Sequence, residues 1–444
     1  RGDAGSIYER RQLMGRILAY TSPAMGHLFP LTPLLLELQR RGHEIHLRTL
    51  ASRVELMRGL GFEADAIDLG IEQIRHDDYT ASNPRKALEL ATSVFARRGD
   101  LDAPDIARAI DAVQPDAVIV DVNCWGAAFA TEAWGGPWVS FSPYIPPLQS
   151  PGTPPFGPGL APMGGPLGRV RDALVGRVVI GAVEKAMLPR INALRSSLNL
   201  SPVASADEFL RKAPLMLVTT ARPFEYAATD WGPDVVMIGA CAWEPQVETP
   251  DWLGAIDRPI VLVTTSSEFQ DDGVLARTAL EALAGEPAHV IVTMPAGLPA
   301  GMRVPANATV TEFVSHSAVL SRAAAAITHG GMGATQKALA HGVPVCVVPF
   351  GRDQLEVARR AEVSGAGVRL PVKKLSPDSL RAAVTLAMTK SEGARRVAEG
   401  YAATGGAATG ATEIERRLLG RTEARVGTRD AGRGTRELDR QLAV

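Results

Sequence analysis

A glycine-rich turn near residue 330 has the composition of a phosphate-binding site. An apolar run, AAAAIT, leads into the turn HGGMG at 329–333, and a helical stretch follows from Ala334 to His341. Three glycines without β-carbons let backbone N–H groups approach an anion closely, and the helix start adds unpaired donors and the positive end of its dipole. The turn therefore predicts a diphosphate ligand. Glycine turns of this kind also occur in α/β proteins for packing alone.

A short polar loop after the next predicted strand has side chains suited to a sugar. The strand runs from Val343 to Val348, and the loop ends in Asp353 and Gln354. Asp353 can accept from two hydroxyl groups, and Gln354 can both donate and accept. A hydroxyl-rich hexose suits this pair better than a deoxysugar, which would leave polar groups unpaired.

The candidate catalytic base lies in the N-terminal half. His27 follows the first predicted strand, where a side chain points into the crevice of a parallel sheet. An imidazole there can take a proton from a hydroxyl near neutral pH. Asp121 ends the buried strand DAVIVD and could hold the other ring nitrogen. The alternatives are that His27 only caps its helix and that Asp121 caps the helix beginning near Trp125.

Alternating strands and helices in two successive halves must position these residues. The first half has predicted strands at 15–20, 43–49, 116–121 and 138–141, and the second begins at Pro259 with IVLVTT and continues through AHVIVTM, ATVTEF, AAAAIT and VPVCVV. This α/β pattern predicts a parallel sheet with helices on both faces in each half. A cleft between the halves is the expected ligand site.

Length and composition fit two domains and exclude several classes of function. The chain has 444 residues, of which 46% are apolar, and its net charge of −1 argues against nucleic acid as a partner. Three scattered cysteines indicate neither a disulfide framework nor a zinc site, so a cytoplasmic setting is expected. No apolar run is long enough to span a membrane. The first thirteen residues lack the apolar region of a signal peptide.

The segment 328–354 resembles the donor-binding signature of family 1 glycosyltransferases, which include plant UDP-sugar transferases and bacterial macrolide and enediyne antibiotic glycosyltransferases. FVSHSAVL at 313–320 resembles the nucleotide-base loop of that family, and GHLFP at 26–30 resembles its GHxxP motif. The resemblance covers roughly residues 14 to 418. It implies the GT-B fold, in which two Rossmann-like domains face each other across a cleft and bind the acceptor and the nucleotide sugar, respectively.

The chemistry implied by this resemblance is inverting transfer of a hexose to a hydroxyl group of a hydrophobic small molecule, such as a polyketide, macrolide or phenol. His27 and Asp121 would form the catalytic dyad, with no metal and no cofactor besides the co-substrate. UDP-glucose is the favoured donor and a dTDP-sugar the alternative. The predicted nucleotide-sugar contacts are Ser266, Ser267, Phe313, Val314, His329, Gly331, Gly333, Ala334, Thr335, Asp353 and Gln354. The predicted acceptor contacts are Met25, Tyr144 and Phe156.

Two segments leave alternatives open. Residues 143–167 are rich in proline and glycine, which predicts neither helix nor strand, and they form either a binding loop or a disordered insertion. Lys337 stands where most members of the family place a glutamate for the ribose hydroxyls. A lysine cannot accept those hydroxyl hydrogens, so the choice between UDP and dTDP stays open.

The complete prediction is a glycosyltransferase that works as a monomer or homodimer. The alternatives are a nucleotide-sugar epimerase or hydrolase on the same scaffold and a non-catalytic partner protein that binds sugar nucleotides. The predicted parts of the chain are an extension or tag remnant at 1–13, an acceptor domain at 14–232, a linker at 233–258, a nucleotide-sugar domain at 259–400, a C-terminal helix at 401–420 that packs back on the first domain, and a mobile charged tail at 421–444.

Overall fold

Two parallel sheets organise the chain. The computed structural model describes residues 14–420 except 82, 267–272, 296 and 298–300, so the predicted extension at 1–13 and the predicted tail at 421–444 lie outside the described residues. Each sheet forms one α/β domain. Two Rossmann-like domains of this kind are the predicted fold, and the prediction is confirmed.

The first sheet has seven parallel strands in the order β3-β2-β1-β4-β5-β6-β7. Its strands are β1 (Arg16–Tyr20), β2 (Glu44–Thr49), β3 (Glu63–Ala66), β4 (Ala117–Asp121), β5 (Trp138–Ser142), β6 (Met216–Val218) and β7 (Val235–Met237). Its helices are α1 (Met25–Arg40), α2 (Val54–Gly59), α3 (Leu69–Gln73), α4 (Pro84–Val113), α5 (Trp125–Trp134), α6 (Gly165–Ser197) and α7 (Ala206–Leu210), with 3₁₀ turns at Ala51–Arg53 and Asp78–Thr80.

The second sheet has six parallel strands in the order β10-β9-β8-β11-β12-β13. Its strands are β8 (Ile260–Thr264), β9 (His289–Thr293), β10 (Ala308–Thr311), β11 (Ala323–Thr328), β12 (Val345–Val347) and β13 (Gly367–Arg369). After the short helix α8 (Asp251–Gly254) come α9 (Gly273–Ala282), α10 (His316–Leu320), α11 (Met332–Ala340), α12 (Gln354–Val363), α13 (Pro377–Met388), α14 (Ser391–Thr404) and α15 (Gly406–Arg417), with a 3₁₀ turn at Val372–Lys374.

The strand order reverses once near the middle of each sheet. The chain runs outward from β1 to β3 and then returns to place β4 beside β1, and it runs outward from β8 to β10 before β11 pairs with β8. In open α/β sheets, ligands bind at the carboxyl ends of the strands beside such a reversal. The two expected binding positions are therefore the ends of β1 and β4 and the ends of β8 and β11.

The predicted domain boundaries need two corrections. The predicted linker, 233–258, contains β7, which pairs with β6 in the first sheet. Only three residues long and preceded by Gly232 and Pro233, this strand carries too little pattern to be recognised. The boundary predicted at 400 falls inside α14, and the chain turns only at Gly405, which has a φ of +86°.

The last described helix returns to the first domain. α15 packs against α1, and its Ala411 and Ile414 are fully buried in the core that also contains Leu34. Glu415 adds an ion pair to Arg41 with an N···O distance of 2.7 Å. Both ends of the described chain therefore contribute to one domain.

Candidate active site

The carboxyl ends of β1 and β4 bring His27 and Asp121 together. His27 lies in the first turn of α1, which begins five residues after β1, and Asp121 is the last residue of the adjacent strand. The His27 Nδ1 atom is 2.7 Å from Asp121 Oδ2. Asp121 is 1% exposed, and its other oxygen accepts the backbone N–H of Asn123 at 2.9 Å. A carboxylate in this position orients the imidazole and stabilises its protonated form.

Two further polar side chains complete this cluster. Asn123 Nδ2 is 3.2 Å from His27 Nε2, and the Tyr144 hydroxyl donates to Asn123 Oδ1 at 2.7 Å. The rings of Tyr144 and His27 meet edge to face with centroids 5.9 Å apart. Burial raises the pKa of Tyr144 well above its usual value, so the phenol remains a donor. This chain of bonds places the proton of His27 on Nδ1 and the lone pair on Nε2.

The sequence indicated Tyr144 but not Asn123. Asn123 follows Asp121 by two residues at the same strand end, and this position could have indicated that it belongs to the site. Asp121 does not cap α5, as one alternative held, because the N-cap of α5 is Cys124 and has no side-chain capping bond. Nor does His27 cap α1, whose N-cap is Ala24.

The other predicted acceptor contacts occupy different environments. Met25 begins α1, two residues before His27, and its sulfur accepts from Arg53 at 3.2 Å. Phe156 packs, partly buried, against the large apolar cluster that contains residues of both domains. Residues 143–164 have neither helix nor strand, and helix α6 then begins at Gly165.

The glycine turn lies between β11 and α11. Gly330 has a φ of +94°, and a β-carbon there would lie 2.8 Å from the β-carbon of Gln354. A β-carbon at Gly331 would come within 2.3 Å of His329 Nε2, so glycine at this position makes room for the imidazole. No side chain caps the start of α11, and Gly333 in its first turn is exposed. The predicted contacts Gly331, Gly333 and Ala334 thus lie where N–H groups can bind an anion.

Thr335, the last of the predicted contacts at this turn, has hydrogen-bond partners within the protein. Its backbone N–H donates to the carbonyl of Gly331 at 3.1 Å, and its buried hydroxyl bonds to the hydroxyl of Thr328 at 2.9 Å. Its backbone N–H is therefore used inside the protein, and its hydroxyl is paired with Thr328, where either oxygen can be the donor. Thr335 is the fourth residue of α11, so its N–H makes the first hydrogen bond within the helix. Together with the bond to Thr328, this stabilises the turn.

The strand beside β11 contributes a second set of hydroxyl groups to this edge. Thr328 at the end of β11 pairs in register with Thr264 at the end of β8. Ser266 follows β8 by two residues and is 8% exposed. Ser267 lies outside the described residues.

The predicted base-binding loop presents one exposed ring. The Phe313 side chain is 50% exposed, whereas Val314 is 2% exposed and packs in the apolar core. Val314 therefore supports the loop with its side chain and has only backbone atoms to offer a base. Ser315 caps α10 by accepting the N–H of Ala318 at 3.1 Å.

Lys337 has a carboxylate partner that sequence reasoning missed. Its Nζ atom is 2.8 Å from Oε2 of Glu244, which comes from the segment between the domains. Glu244 also accepts from the Ser315 hydroxyl at 2.7 Å and from the backbone N–H groups of His316 and Ser317. Burial opposes ionisation, but Lys337 and these donors lower the pKa of Glu244 to about 2.

The predicted sugar-binding pair lies at the start of α12. Gln354 is 3% exposed, and its side-chain oxygen accepts the backbone N–H groups of Phe350 and Gly351 at 2.8 and 3.1 Å. Its carbonyl therefore holds the loop, which was not predicted. Burial raises the pKa of Asp353, and its charge interacts with both His27 and Tyr144 of the other domain. The residue before it, Arg352, bonds to Asp78 of the first domain at 2.9 and 2.7 Å, so the loop with the candidate sugar contact lies against the domain that holds the candidate base.

A comparison with known proteins agrees with this architecture. A family model described as "Erythromycin biosynthesis protein CIII-like, C-terminal domain" matches residues 277–419. The 4'-demethylrebeccamycin synthase of Lentzea aerocolonigenes is 31% identical over 396 residues, which cover 83% of this chain and 90% of that protein. The solved glycotransferase of kitacinnamycin has a TM-score of 0.69 at 24% identity, covering 91% of this chain and 99% of that chain. VinC, a glycosyltransferase solved in complex with dTDP, has a TM-score of 0.65 at 23% identity, covering 90% and 98%.

The chain belongs to the family of GT-B glycosyltransferases that includes enzymes of antibiotic biosynthesis. It is a glycosyltransferase of this type, as the resemblance predicted, and the epimerase, hydrolase and non-catalytic alternatives are not favoured. Among the described residues, no helix is long and apolar enough to cross a membrane.

Proposed function

We propose that this enzyme transfers a hexose, with inversion, from a nucleotide diphosphate sugar to a hydroxyl group of a hydrophobic small molecule. The observation that carries the proposal is the arrangement across the cleft. In the first domain a histidine is paired with a buried aspartate at 2.7 Å, and the second domain supplies Asp353, a carboxylate suited to sugar hydroxyls, on a loop that Arg352 joins to Asp78 of the first domain.

The proposed reaction uses the lone pair on His27 Nε2. The acceptor hydroxyl gives its proton to this nitrogen while its oxygen bonds to the anomeric carbon, and the bond from that carbon to the diphosphate oxygen breaks. Asp121 holds the resulting imidazolium through Nδ1. The diphosphate leaves with the electron pair and is received by His329 and the N–H groups at the start of α11. In-line displacement of this kind converts an α-linked donor into a β-glycoside.

UDP-glucose is the proposed donor, with dTDP-glucose as the alternative. Asp353 supports an unmodified sugar because its carboxylate would lose partners if hydroxyls were removed. The nucleotide is less constrained, since Lys337 is engaged by Glu244 and offers no acceptor to a ribose 2′-hydroxyl. We propose a polyketide, macrolide or phenol as the acceptor, which fits the apolar and aromatic residues expected to line its side of the cleft.

A transfer assay tests this proposal directly. Purified enzyme is incubated with UDP-glucose, dTDP-glucose or a dTDP-deoxysugar and a panel of phenolic and macrolide acceptors, and products are followed by mass spectrometry and proton NMR. The expected product is a β-glucoside with release of nucleotide diphosphate. An α-glycoside would contradict inversion. Donor consumption without any glycoside would favour the hydrolase or epimerase, and donor binding without turnover would favour the non-catalytic alternative.

A further inference from the structure

The proline- and glycine-rich loop that follows β5 is attached to the opposite domain by one carboxylate. The backbone N–H groups of Gly157 and Gly159 both donate to Glu356 Oε1, each at 2.8 Å. Glu356 is 2% exposed and is the third residue of α12, two positions after Gln354. The loop of the acceptor domain is therefore bound directly to the helix that begins at the candidate sugar contact.

A buried row of charges fixes Glu356 in this position. Its second oxygen, Oε2, accepts from Arg360 at 2.8 Å, and Arg360 also donates to Glu225 of the first domain at 2.8 Å. Arg360 is 5% exposed and Glu225 1%. Burial disfavours the charge of Arg360, but Glu225 raises its pKa above the usual value overall. Removing one member of such a row leaves an uncompensated buried charge, so the row resists rearrangement.

The loop backbone lies close against the first turn of α12. Gly159 has a φ of +61°, and a β-carbon there would lie 2.5 Å from the backbone oxygen of Leu355. Arg359 donates to the carbonyl of Gly159 at 2.8 Å. This contact therefore requires glycine both for its backbone conformation and for the close approach.

We infer that Glu356 is a positioning residue that couples the acceptor loop to the donor sugar. Its bonds are to the loop backbone and to Arg360, and it acts through them and not by contact with either substrate. Binding of the sugar to Asp353 and Gln354 further stabilises the first turn of α12, and Glu356 transmits that stabilisation to residues 150–162. The inference rests on the proposed function, because it takes the 353–354 pair as the sugar contact and the loop as part of the acceptor site. Because coupling between two sites is reciprocal, stabilising the loop must in turn increase the affinity for the donor.

The contact itself is tested by hydrogen–deuterium exchange of peptides covering residues 150–162. Glu356→Gln keeps an acceptor oxygen but removes the charge that holds Arg360, and Gly159→Ala pushes the loop away from α12 without changing any charge. We expect amide exchange at Gly157 and Gly159 to become roughly tenfold faster in both variants. Gly152→Ala is the matched control, since Gly152 also has a positive φ, +81°, but its nearest neighbour is Ala228 at 3.7 Å. Unchanged exchange in both variants, or an equal increase in the control, would overturn the inference.

The coupling is tested by repeating the exchange with UDP-glucose, or with dTDP-glucose if that is the donor that binds. In the wild-type enzyme the donor should slow exchange in 150–162 about fivefold or more, within the usual range of coupling energies. In Glu356→Gln the donor should still bind, yet exchange in the loop should not respond. A loop response that survives in this variant would refute the role of Glu356. Failure of both nucleotide sugars to bind the wild-type enzyme would instead reject the proposed function, and the coupling with it.

Discussion

At the residue scale, His27 Nε2, the atom proposed to accept the proton, already has a hydrogen-bond partner. Asn123 donates to Nε2 at 3.2 Å, and the carbonyl of Asn123 is held in turn by the Tyr144 hydroxyl. An acceptor hydroxyl must therefore take the place of the Asn123 amide to deliver its proton. Tyr144 holds Asn123 and is itself expected to contact the acceptor. Binding of the acceptor can therefore move the Asn123 amide away from His27 Nε2.

Removing the proposed base should sharply lower the rate of transfer without weakening donor binding. We expect His27→Ala to lower kcat by roughly 10²–10⁴-fold, the usual contribution of a general base. The dissociation constant for UDP-glucose, measured by calorimetry, should stay nearly unchanged because the donor groups belong to the other domain. Comparable turnover in this variant with an acceptor of ordinary hydroxyl pKa would remove His27 from the mechanism.

Removing the charge beside the base should be less damaging but still severe. Asp121→Asn preserves the geometry around His27 Nδ1 but loses the stabilisation of the imidazolium, so kcat should fall with little change in KM. Asp100→Asn provides the control, since Asp100 is an exposed carboxylate on α4. Equal activity of the two variants would show that the Asp121 charge has no part in proton transfer.

The Glu244 carboxylate should make stability depend on pH. Its pKa of about 2 lies below its ordinary value of 4.5, so the folded state binds fewer protons than the unfolded state. Its stabilisation is therefore full above pH 4.5 and is lost as the pH falls toward 2. We expect Glu244→Gln to lower the free energy of unfolding by roughly 1–3 kcal/mol at pH 7, with the difference from wild type shrinking below pH 4.5.

Urea unfolding at several pH values measures this difference. The exposed pair of Glu392 with Arg396 offers a control, and Glu392→Gln should be nearly neutral. His316 is also buried, which lowers its pKa to about 4, but it is present in both proteins and largely cancels. A destabilisation that does not vary with pH would contradict the assignment.

The partners of these residues mark the limit of prediction from sequence at this scale. The residue types of His27, Asp121 and Asp353 and their positions after strands were sufficient to propose a chemistry. The partner of Lys337 was not predictable, because Glu244 lies 93 positions earlier in a segment without pattern. Lys337 is one of four donors to Glu244 and forms an ion pair with it. A Lys337→Glu substitution without a second change would therefore place two carboxylates side by side.

At the element scale, the loop before α12 also contacts the 3₁₀ turn of the first domain. Arg352 makes two bonds to the carboxylate of Asp78, at 2.9 and 2.7 Å. Arg352 adopts a φ of +54°, in the left-handed region that non-glycine residues seldom occupy. The ion pair therefore accompanies a strained backbone immediately beside the candidate sugar contact.

Two substitutions at Arg352 should separate the strain from the ion pair. Arg352→Ala and Arg352→Gly both remove the bonds to Asp78, but only glycine accepts the left-handed conformation without strain. We expect the glycine variant to be more stable than the alanine variant by about 1 kcal/mol in urea unfolding. Equal stability would show that the loop relaxes to another conformation once Asp78 is released.

Elements with a clear apolar pattern were predictable, including the three-residue strand β12, whereas short strands without such a pattern were not. The strands β1, β4, β8 and β11 and the first helix follow apolar periodicity that the sequence shows plainly. By contrast, β6, β7 and β13 have three residues each, and only pairing with a neighbour defines them. The docking of the 143–164 loop also had no signal, because its donors are backbone N–H groups, which every residue but proline has.

At the scale of the whole molecule, the second domain has both backbone and side-chain groups with which it would bind the diphosphate of the proposed donor. The uncapped start of α11 and the imidazole of His329 lie at the same turn. We therefore expect transfer to persist in excess EDTA, measured as product formation after dialysis against the chelator. Complete loss of activity, restored by magnesium or manganese, would contradict this mechanism.

The return of α15 to α1 limits how such enzymes can be recombined. A chimera joined in the segment between the domains, with a donor half from a relative, would also import a foreign last helix onto the native acceptor half. The contacts of Ala411, Ile414 and Glu415 with Leu34, Arg41 and His43 would then join surfaces that were never selected together. A chimera with two crossover points, the second at Gly405, would keep α15 together with the acceptor domain against which it packs.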